Sequence, residues 1–321
     1  MTRPRIIVTR KLPDAVEERL RQRFTVAFNT ADTPFSSERL VRALQVADGL
    51  LCTVTDLFDE QILQAEGKLN AKILANFGVG VNNIDLDAAE AQGLVVSNTP
   101  GVLTDATADI AMALILAATR RMSETEAMLR SGNWTSFSPT GMLGTGIQGK
   151  TLGIIGMGRI GQATAQRAQA GFGMKVIYFN RSKTGPFDFP AEARDSIEAV
   201  MREADVVSLH LPGGAANRGT ISAERIGLMK KTAFLVNTAR GDVVDEPALV
   251  SALKEGRIAG AGLDVFAAEP TVPQALIDLP NVTLLPHIGS ATVETRTAMG
   301  MLAVDNLEAF FDGTDLPSRV V

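Results

Sequence analysis

The chain has 321 residues, of which 45% are hydrophobic and 21% are charged, and its formal net charge is −5. This length exceeds one ordinary hydrophobic core and predicts two domains. Its lysines and arginines are scattered among acids and form no basic face, so we expect no nucleic-acid partner.

The single cysteine, Cys52, excludes an internal disulfide and fits a reducing compartment. It lies in the apolar run Gly49–Thr53, which favours a buried core residue over a nucleophile. The N-terminus lacks the apolar segment of a secretory signal, and the longest apolar run, Ile110–Ala118, is too short to span a membrane. We therefore expect a soluble cytoplasmic protein with no membrane partner.

Strands alternate with helices from the start of the chain, which is typical of a parallel sheet with helices on both faces. The predicted strands are Arg5–Thr9, Phe24–Phe28, Gly49–Cys52 and Lys72–Asn76, and the predicted helices are Pro13–Arg23, Ser37–Val46 and Leu86–Gln92. A strand that ends in a turn-rich segment is predicted next, at Val95–Gly101. A long helix is then predicted over Asp105–Leu129, ending at the turn Ser131–Asn133.

A second alternation begins at Thr151 and holds a complete six-strand dinucleotide-binding unit. Its predicted strands are Leu152–Ile155, Lys175–Phe179, Val206–His210, Ala233–Asn237, Ala259–Asp264 and Val282–Leu285. An amphipathic helix over Val293–Phe311 follows. Since the first alternation already forms a sheet, the simplest architecture inserts a cofactor domain, residues 101–289, into an outer domain made of residues 1–100 and 290–321.

The segment Leu152–Ala165 predicts a short buried strand, a glycine turn and the start of a helix. Gly156 would allow the tight turn, Gly158 would let the backbone approach a pyrophosphate, and Gly161 would let helix and strand pack closely. The helix N-terminus would then offer free N–H groups and a positive dipole end to the phosphates. The segment therefore predicts a dinucleotide site.

The residues after the following strand indicate which dinucleotide binds. An acid there binds the ribose 2′-hydroxyl, whereas an Arg accommodates a 2′-phosphate. This chain has Asn180, Arg181 and Ser182 and no acid, so the Arg181 guanidinium and the Ser182 hydroxyl would hold the phosphate. We predict NADP(H), with NAD as the alternative cofactor and an exposed polar turn as the alternative interpretation.

The chain contains two histidines, His210 and His287, and each ends a predicted strand of the second alternation. Reduction of a carbonyl needs a proton donor near neutral pH, which either histidine could supply, although either could also be structural. Arg240 follows one buried strand, and Asp264 and Glu269 follow the next. These groups would converge on a single crevice, because open α/β sheets bind ligands beyond the carboxyl ends of their strands.

Four segments resemble the D-2-hydroxyacid dehydrogenases, and the resemblance covers nearly the whole chain. The segments are Gly156–Gly161, Asn237–Gly241, Gly262–Phe266 with Glu269-Pro270, and Pro286–Gly289. The resemblance implies an α/β fold of two doubly wound parallel-sheet domains, with a Rossmann dinucleotide-binding domain inserted into a flavodoxin-like substrate-binding domain. The segments Ser97–Asp109 and Asn180–Ser182 are similar to the glyoxylate/hydroxypyruvate reductase branch of that family.

The resemblance also implies catalytic roles. His287 would protonate the carbonyl oxygen of the substrate, and Glu269 would hold its ring and support the imidazolium. Arg240 would bind the carboxylate and carbonyl oxygens of a small 2-oxo acid. Related enzymes that oxidise formate carry Gln in place of Glu269 and need no acid/base proton, so Glu269 favours hydroxy-acid chemistry.

The outer domain would contribute the loop after its fourth predicted strand. The backbone amides of Val79 and Gly80 would meet the carboxylate of the substrate. Phe77 would narrow the pocket for a small substrate, although it could equally be a core residue at a strand end. Asn82 stands where family members often have Asp, and no role is carried over to it.

Further cofactor contacts are implied for the loops of the inserted domain. Asp264 would contact the nicotinamide end, and His210 would support the cofactor side. Thr107 and Asn217 could equally be ordinary polar groups of a helix and a loop. The other implied cofactor contacts are Arg159, Ile160, Pro212, Thr238, Ala239 and Gly289.

The sequence therefore predicts an NADPH-preferring enzyme that reduces glyoxylate to glycolate and hydroxypyruvate to D-glycerate. The resemblance implies a homodimer that uses the helix Asp105–Leu129 and the following arm with Trp134. One alternative is a broader NAD-dependent D-2-hydroxyacid or phosphoglycerate dehydrogenase. Another is a non-catalytic, nucleotide-sensing protein of the corepressor type, since a fold alone does not fix a function.

Overall fold

A computed structural model describes residues 3–321 and divides the chain into two compact units. The first unit contains the chain up to Leu103 together with Ala291–Val321, and the second contains Thr104–Ser290. In sequence, the second unit is therefore inserted into the first.

The first unit is built on a parallel sheet. Its strands β1 to β5 are Arg5–Val8, Thr25–Ala27, Gly49–Thr53, Ile73–Phe77 and Val95–Ser97. They lie in the order β2-β1-β3-β4-β5, which is the flavodoxin-like order of a doubly wound fold. β3 and β4 are buried along nearly their whole length, and both are therefore continuous apolar runs rather than alternating patterns.

The second unit contains the other parallel sheet. Its strands β6 to β12 are Thr151–Ile155, Lys175–Phe179, Glu192–Ala193, Val206–Leu209, Phe234–Asn237, Gly260–Leu263 and Val282–Leu284. They lie in the order β12-β11-β10-β9-β6-β7-β8, so the strand order reverses between β6 and β9, as in dinucleotide-binding folds. The strand β8 is absent from the six predicted strands, because Glu192 and Ala193 are exposed and carry no apolar signal.

Helices connect the strands in both units. In chain order, α1 to α12 are Asp14–Arg23, Ser37–Val46, Glu60–Leu63, Leu86–Ala91, Thr104–Thr119, Met122–Arg130, Arg159–Phe172, Ile197–Glu203, Ala223–Gly227, Glu246–Lys254, Gln274–Ile277 and Val293–Asp312. Helix α12 packs on α1 and β4, and a Cβ built at Gly300 would lie 2.5 Å from Val16 Cγ2. Over residues 3–321, no helix is both long and apolar enough to cross a bilayer.

The predicted single helix over Asp105–Leu129 is wrong, because the structure divides it into α5 and α6. The backbone turns left-handed at Arg121, with φ of 56°, and α6 begins at the next residue. The carbonyl oxygen of Thr119 accepts a hydrogen bond from the Thr145 backbone N–H at 2.7 Å. The last carbonyl of α5 is thus satisfied by a distant loop rather than by continued helix.

Cys52 lies in the core of the first unit and is fully buried, as the apolar run around it predicted. Burial raises the pKa of the Cys52 thiol well above its usual range, since the apolar core disfavours the thiolate. The residue is therefore a small core side chain rather than a nucleophile.

Candidate active site

The glycine turn between β6 and α7 has the geometry that the sequence predicted. Gly156 has φ of 98°, and a Cβ built there would lie 2.6 Å from the carbonyl oxygen of His210. A Cβ at Gly161 would overlap the carbonyl oxygen of Gly156. A Cβ at Gly158 would meet no atom within 4 Å, so this side of the turn is open. Only glycine fits at Gly156 and Gly161, and the backbone at Gly158 is accessible.

The first turn of α7 is available to an anion. Gly158 is the N-cap residue, and among residues 3–321 no side chain caps the helix there. Unpaired backbone N–H groups and the positive end of the helix dipole are features that bind phosphate. The open face at Gly158 and the uncapped amides therefore fit the pyrophosphate of a nicotinamide dinucleotide.

Asn180 links the glycine turn to the segment that follows β7. Its Oδ1 accepts a hydrogen bond from the Met157 N–H at 3.0 Å, and its Nδ2 donates to the Ser182 carbonyl oxygen at 2.8 Å. Arg181 and Ser182 are exposed, and within the described residues the Arg181 guanidinium makes no ion pair. Asn180 thus fixes the backbone of this segment and leaves the Arg181 side chain available.

His287 and Glu269 form a close pair beyond β11 and β12. The distance from His287 Nδ1 to Glu269 Oε2 is 2.7 Å, and Glu269 Oε1 accepts a hydrogen bond from the Phe266 N–H at 3.0 Å. The two side chains are 35% and 33% exposed, respectively. Because Nδ1 faces the carboxylate, Nε2 is the nitrogen of His287 left for another group.

The backbone at His287 is left-handed, with φ of 54°, and Asp264 stabilises it. The Asp264 carbonyl oxygen accepts from the His287 N–H at 2.9 Å. Its carboxylate oxygens accept from the N–H groups of Ile288 and Gly289, both at 2.7 Å. Sequence reasoning missed this role, because it assigned Asp264 only a cofactor contact.

The carboxylates of this region have shifted pKa values. Burial acts to raise the pKa of Glu269, but the hydrogen bond and charge of His287, the Phe266 N–H and the charge of Arg240 together hold the pKa below its usual range. Burial raises the pKa of Asp264, against the effect of the two backbone N–H groups that it accepts. Glu269 is therefore a carboxylate near neutral pH and pairs with His287 through a charged oxygen.

His210 lies at the end of β9 in a different environment. Its Nε2 is 2.9 Å from Ser208 Oγ, and Ser208 is fully buried. Burial lowers the pKa of His210 to about 3, so its imidazole stays neutral near pH 7. The positions of the two histidines left the choice of proton donor open, and the family resemblance implied His287. A neutral imidazole at His210 does not suit that residue to the role of proton donor.

Arg240 follows β10 in a turn held by Asn237. Asn237 Oδ1 accepts from the Ala239 N–H at 3.0 Å, and Asn237 Nδ2 donates to the Arg240 carbonyl oxygen at 2.8 Å. Burial lowers the pKa of Arg240, while the charges of Glu269 and Asp242 oppose that effect. A guanidinium remains protonated at neutral pH, so Arg240 is a shielded cation beside the His287–Glu269 pair.

The other predicted cofactor residues lie on α5, at the start of α7 and in the loops after β9, β10 and β12. Thr107 lies against the loop after β12, since a Cβ at Gly289 would be 3.3 Å from Thr107 Cγ2. Thr238 carries a buried hydroxyl that has no hydrogen-bond partner among the described residues. Asn217 donates to the Pro212 carbonyl oxygen at 3.0 Å and so shapes its own loop. Arg159 and Ile160 open helix α7, and Ala239 lies in the turn before Arg240.

The substrate residues predicted in the first unit lie at the end of β4 and just after it. Phe77 is half-buried and packs against the core beside β1 and α1, in agreement with the core alternative. The Val79 side chain is exposed, and its carbonyl oxygen accepts from Asn98 Nδ2 at 2.8 Å. Within residues 3–321, neither the Val79 nor the Gly80 backbone N–H donates a hydrogen bond. These two donors are available to a ligand.

Comparison with known proteins adds three similarities. The family model described as D-isomer specific 2-hydroxyacid dehydrogenase, NAD binding domain, matches residues 112–289. A glyoxylate reductase of Thermococcus litoralis is 44% identical over 99% of this chain and 97% of its own length. A solved NADPH-dependent glyoxylate/hydroxypyruvate reductase of Sinorhizobium meliloti, in complex with NADP and malonate, aligns with a TM-score of 0.87 and 36% identity over 100% of this chain and 97% of its own.

Proposed function

The chain belongs to the D-isomer specific 2-hydroxyacid dehydrogenase family, and from this premise we propose that it is an NADPH-preferring reductase of small 2-oxo acids. Its substrates would be glyoxylate, reduced to glycolate, and hydroxypyruvate, reduced to D-glycerate. The observation that carries the proposal is the 2.7 Å contact between His287 Nδ1 and Glu269 Oε2, with Arg240 close enough for its charge to act on Glu269.

His287 is the general acid of the proposed reaction. When bound, a reduced nicotinamide dinucleotide supplies the hydride that the carbonyl carbon of the 2-oxo acid accepts. His287 Nε2 donates its proton to the carbonyl oxygen, which becomes the hydroxyl of the product. Glu269 holds Nδ1–H through its charged oxygen and stabilises the protonated ring before transfer. His287 then regains a proton from solvent.

The remaining polar groups orient the substrate. Arg240 offers a forked set of N–H donors to the carboxylate and carbonyl oxygens, and its charge polarises the carbonyl group. The unpaired N–H groups of Val79 and Gly80 bind the carboxylate. Phe77, the last residue of β4, precedes this loop and packs into the core of the first unit.

The cofactor is held by the open side of the second unit. The N–H groups around Gly158, Arg159 and Ile160 bind the pyrophosphate, and Arg181 with Ser182 binds a 2′-phosphate. The contacts proposed for the remainder of the dinucleotide come from Thr107, Gly156, Gly161, Asn180, His210, Pro212, Asn217, Thr238, Ala239, Asp264 and Gly289.

The test is a matrix of initial rates, with NADPH and NADH each against glyoxylate, hydroxypyruvate and longer 2-oxo acids. We expect the highest kcat/KM with NADPH and the two small acids. Higher values with NADH would instead favour the NAD-dependent alternative. Dinucleotide binding without turnover of any 2-oxo acid would favour a nucleotide-sensing protein.

The NADPH preference has its own variant, Arg181→Ala. Hydrogen bonds to charged groups contribute about 1.5–3 kcal/mol, so KM for NADPH should rise by about 10- to 150-fold. KM for NADH should change by less than about twofold, because NADH has no 2′-phosphate for Arg181 to bind. Arg202→Ala, which removes another exposed arginine from helix α8, is the matched control. Equal effects of Arg181→Ala on both cofactors would contradict the phosphate role.

We also propose a cytoplasmic homodimer. A reducing compartment suits the free thiol of Cys52. Exposed apolar side chains are concentrated between Met122 and Leu143, and such a patch on an enzyme surface is typical of a subunit interface.

A further inference from the structure

Asn76 contacts the loop that carries the Val79 and Gly80 donors. It is the second-last residue of β4, and its side chain is completely buried. Asn76 Nδ2 donates to the Gly80 carbonyl oxygen at 3.0 Å and to the Gly78 carbonyl oxygen at 3.4 Å. Both hydrogens of this carboxamide are therefore used to hold two carbonyl groups of the loop.

The direction of these carbonyls determines the direction of the N–H groups. A peptide unit is planar and trans, so the C=O of one residue and the N–H of the next point in opposite directions. The Gly78 carbonyl accepts from Asn76 and from the Thr99 N–H at 2.9 Å, so the N–H of Val79 points away from them. In the same way, the hydrogen bond from Asn98 to the Val79 carbonyl turns the N–H of Gly80 away.

Asn76 is itself held by Asn83. Asn83 Nδ2 donates to Asn76 Oδ1 at 3.3 Å, to the Thr53 carbonyl oxygen at 3.1 Å and to the Asp56 carbonyl oxygen at 3.0 Å. The carboxamide of Asn83 thus joins the end of β3 to the end of β4. Because Asn76 Oδ1 receives this donor, its Nδ2 is the atom that faces the loop.

The loop also has no space in which to shift. A Cβ built at Gly78 would lie 2.8 Å from Val54 Cγ1 and 3.4 Å from Asn76 Nδ2. The backbone therefore lies directly against Asn76 and Val54, the residue after β3, so a change in the Asn76 donor is transmitted to the peptide planes.

From this geometry we propose that Asn76 is a positioning residue for substrate binding, with Asn83 as its support. Asn76 holds the peptide plane between Gly78 and Val79, and Asn98 holds the plane between Val79 and Gly80, so that both N–H groups are already oriented to receive the carboxylate of the 2-oxo acid. Asn76 also holds the Gly80 carbonyl, which ends this pair of donors. Two preorganised donors bind an anion without first having to rotate towards it. This inference rests on the proposed function, since that function supplies the carboxylate.

The test compares Asn76→Ser with Asn76→Asp. The serine keeps a single donor, whereas the aspartate places a negative charge against two carbonyl oxygens. We expect KM for glyoxylate to rise about 10-fold or more in Asn76→Asp, and less in Asn76→Ser, by the usual strength of a hydrogen bond to a charged group. We expect kcat at saturating glyoxylate to stay within about threefold, because the proton donor is untouched.

The control is Asn82→Ser, which changes an exposed carboxamide in the same loop that makes no side-chain hydrogen bond within residues 3–321. Its KM for glyoxylate should match that of the unmodified enzyme. The Kd of NADPH, measured by nicotinamide fluorescence, should match in all the variants. The inhibition constant of oxalate, which carries the same carboxylate, should rise in parallel with KM.

Two results would overturn the positioning role. One is an unchanged KM for glyoxylate in a folded Asn76→Ser variant. This variant alone tests the positioning role if Asn76→Asp fails to fold. The other is a joint fall of kcat, NADPH affinity and melting temperature, which would indicate a purely structural residue. If the unmodified protein reduces no 2-oxo acid, the proposed function fails. Calorimetry of oxalate with the unmodified protein and Asn76→Ser would then test the two N–H donors by themselves.

Discussion

The two histidines of the chain differ in the groups that face them. His287 Nδ1 faces a carboxylate, and the ring is about one-third exposed. His210 is bonded to the hydroxyl of Ser208, and its burial makes the charged form unfavourable. A proton donor must be able to carry a proton near neutral pH, and the surroundings of His210 disfavour that charged form.

The substitution His287→Gln should lower kcat by about 10²- to 10⁴-fold, the range for a lost general acid. Glutamine keeps a similar volume and a polar end but cannot donate a proton from a charged ring. The measurement is single-turnover reduction of glyoxylate with NADPH, with the Kd of NADPH as the control for an intact fold. A kcat within a few-fold of the unmodified enzyme would remove His287 from the acid role.

His210 should affect the pH dependence of the unfolding free energy rather than the proton transfer of the reaction. Its pKa of about 3 in the folded protein lies below the ordinary value of 6.5, so the unfolded chain binds the extra proton as the pH falls. The contribution of neutral His210 to the unfolding free energy is fully present above pH 6.5 and is lost progressively between pH 6.5 and pH 3. The loss is at most about 1.4 kcal/mol per pH unit.

The variant His210→Gln should therefore lose less stability on acidification than the unmodified protein. Between pH 7 and pH 5 the difference in unfolding free energy should be up to about 2 kcal/mol, measured from denaturant midpoints. His287→Gln is the matched control, since it leaves His210 in place and should keep the acid-side loss. Identical pH profiles for the unmodified protein and His210→Gln would contradict the neutral state of the His210 imidazole.

At the scale of elements, the glycines of the turn between β6 and α7 have different roles. Gly156 is required by the fold, whereas Gly158 leaves space for a ligand. Gly158 has φ of −77°, which any residue adopts, and a side chain there would meet no protein atom. Gly158→Ala should leave the melting temperature almost unchanged but raise the Kd of NADPH about 10-fold or more, because the methyl group would occupy the path of the pyrophosphate.

The contrasting variant is Gly156→Ala. Its left-handed backbone and the carbonyl of His210 at 2.6 Å leave no room for a methyl group, so stability should fall by about 1–3 kcal/mol or more. Thermal unfolding and NADPH titration of both variants test the pair. Unchanged NADPH affinity in Gly158→Ala would show that the phosphates do not approach this side of the turn.

The sequence predicted most elements, because their signals are local. Buried parallel strands such as β3 and β4 are apolar runs, and the glycines of the turn occupy positions that their backbone requires. The break before α6 was not predictable, because Arg121 is not a residue that marks a left-handed turn and the Thr119 carbonyl bonds to the distant Thr145. The two-residue strand β8 lacks any apolar pattern and therefore gave no signal.

For the molecule as a whole, the convergence of Arg240, Glu269 and His287 followed from topology, since the carboxyl ends of parallel strands share one edge of a sheet. The hydrogen bonds that orient these three side chains could not be predicted from topology, because these bonds form between loops. The clamp from Asp264 to the residues after His287 accompanies a left-handed backbone at His287, a conformation that is uncommon for any residue other than glycine. The buried position of Asn76 likewise depends on its partner Asn83.

Exposed apolar side chains predict how the whole molecule assembles. The large apolar residues exposed on α6 and in the segment between α6 and β6 are Met122, Leu129, Trp134, Phe137 and Leu143. Phe137 is the extreme case, with 83% of its surface accessible. Isolated exposed apolar residues are ordinary, but a concentration in one segment is typical of an interface. We therefore expect the unmodified protein to sediment as a dimer at micromolar concentration.

The variant Phe137→Asp should shift this equilibrium towards the monomer, because a charge buried in a subunit interface without a partner is costly. Sedimentation velocity over a range of concentrations measures the shift. Ile277→Asp is the matched control: Ile277 is 52% exposed but lies on α11, outside the concentrated segment, so its variant should remain dimeric. A monomeric unmodified protein would contradict the assembly outright. Equal dissociation by both variants would instead place the interface on a different surface.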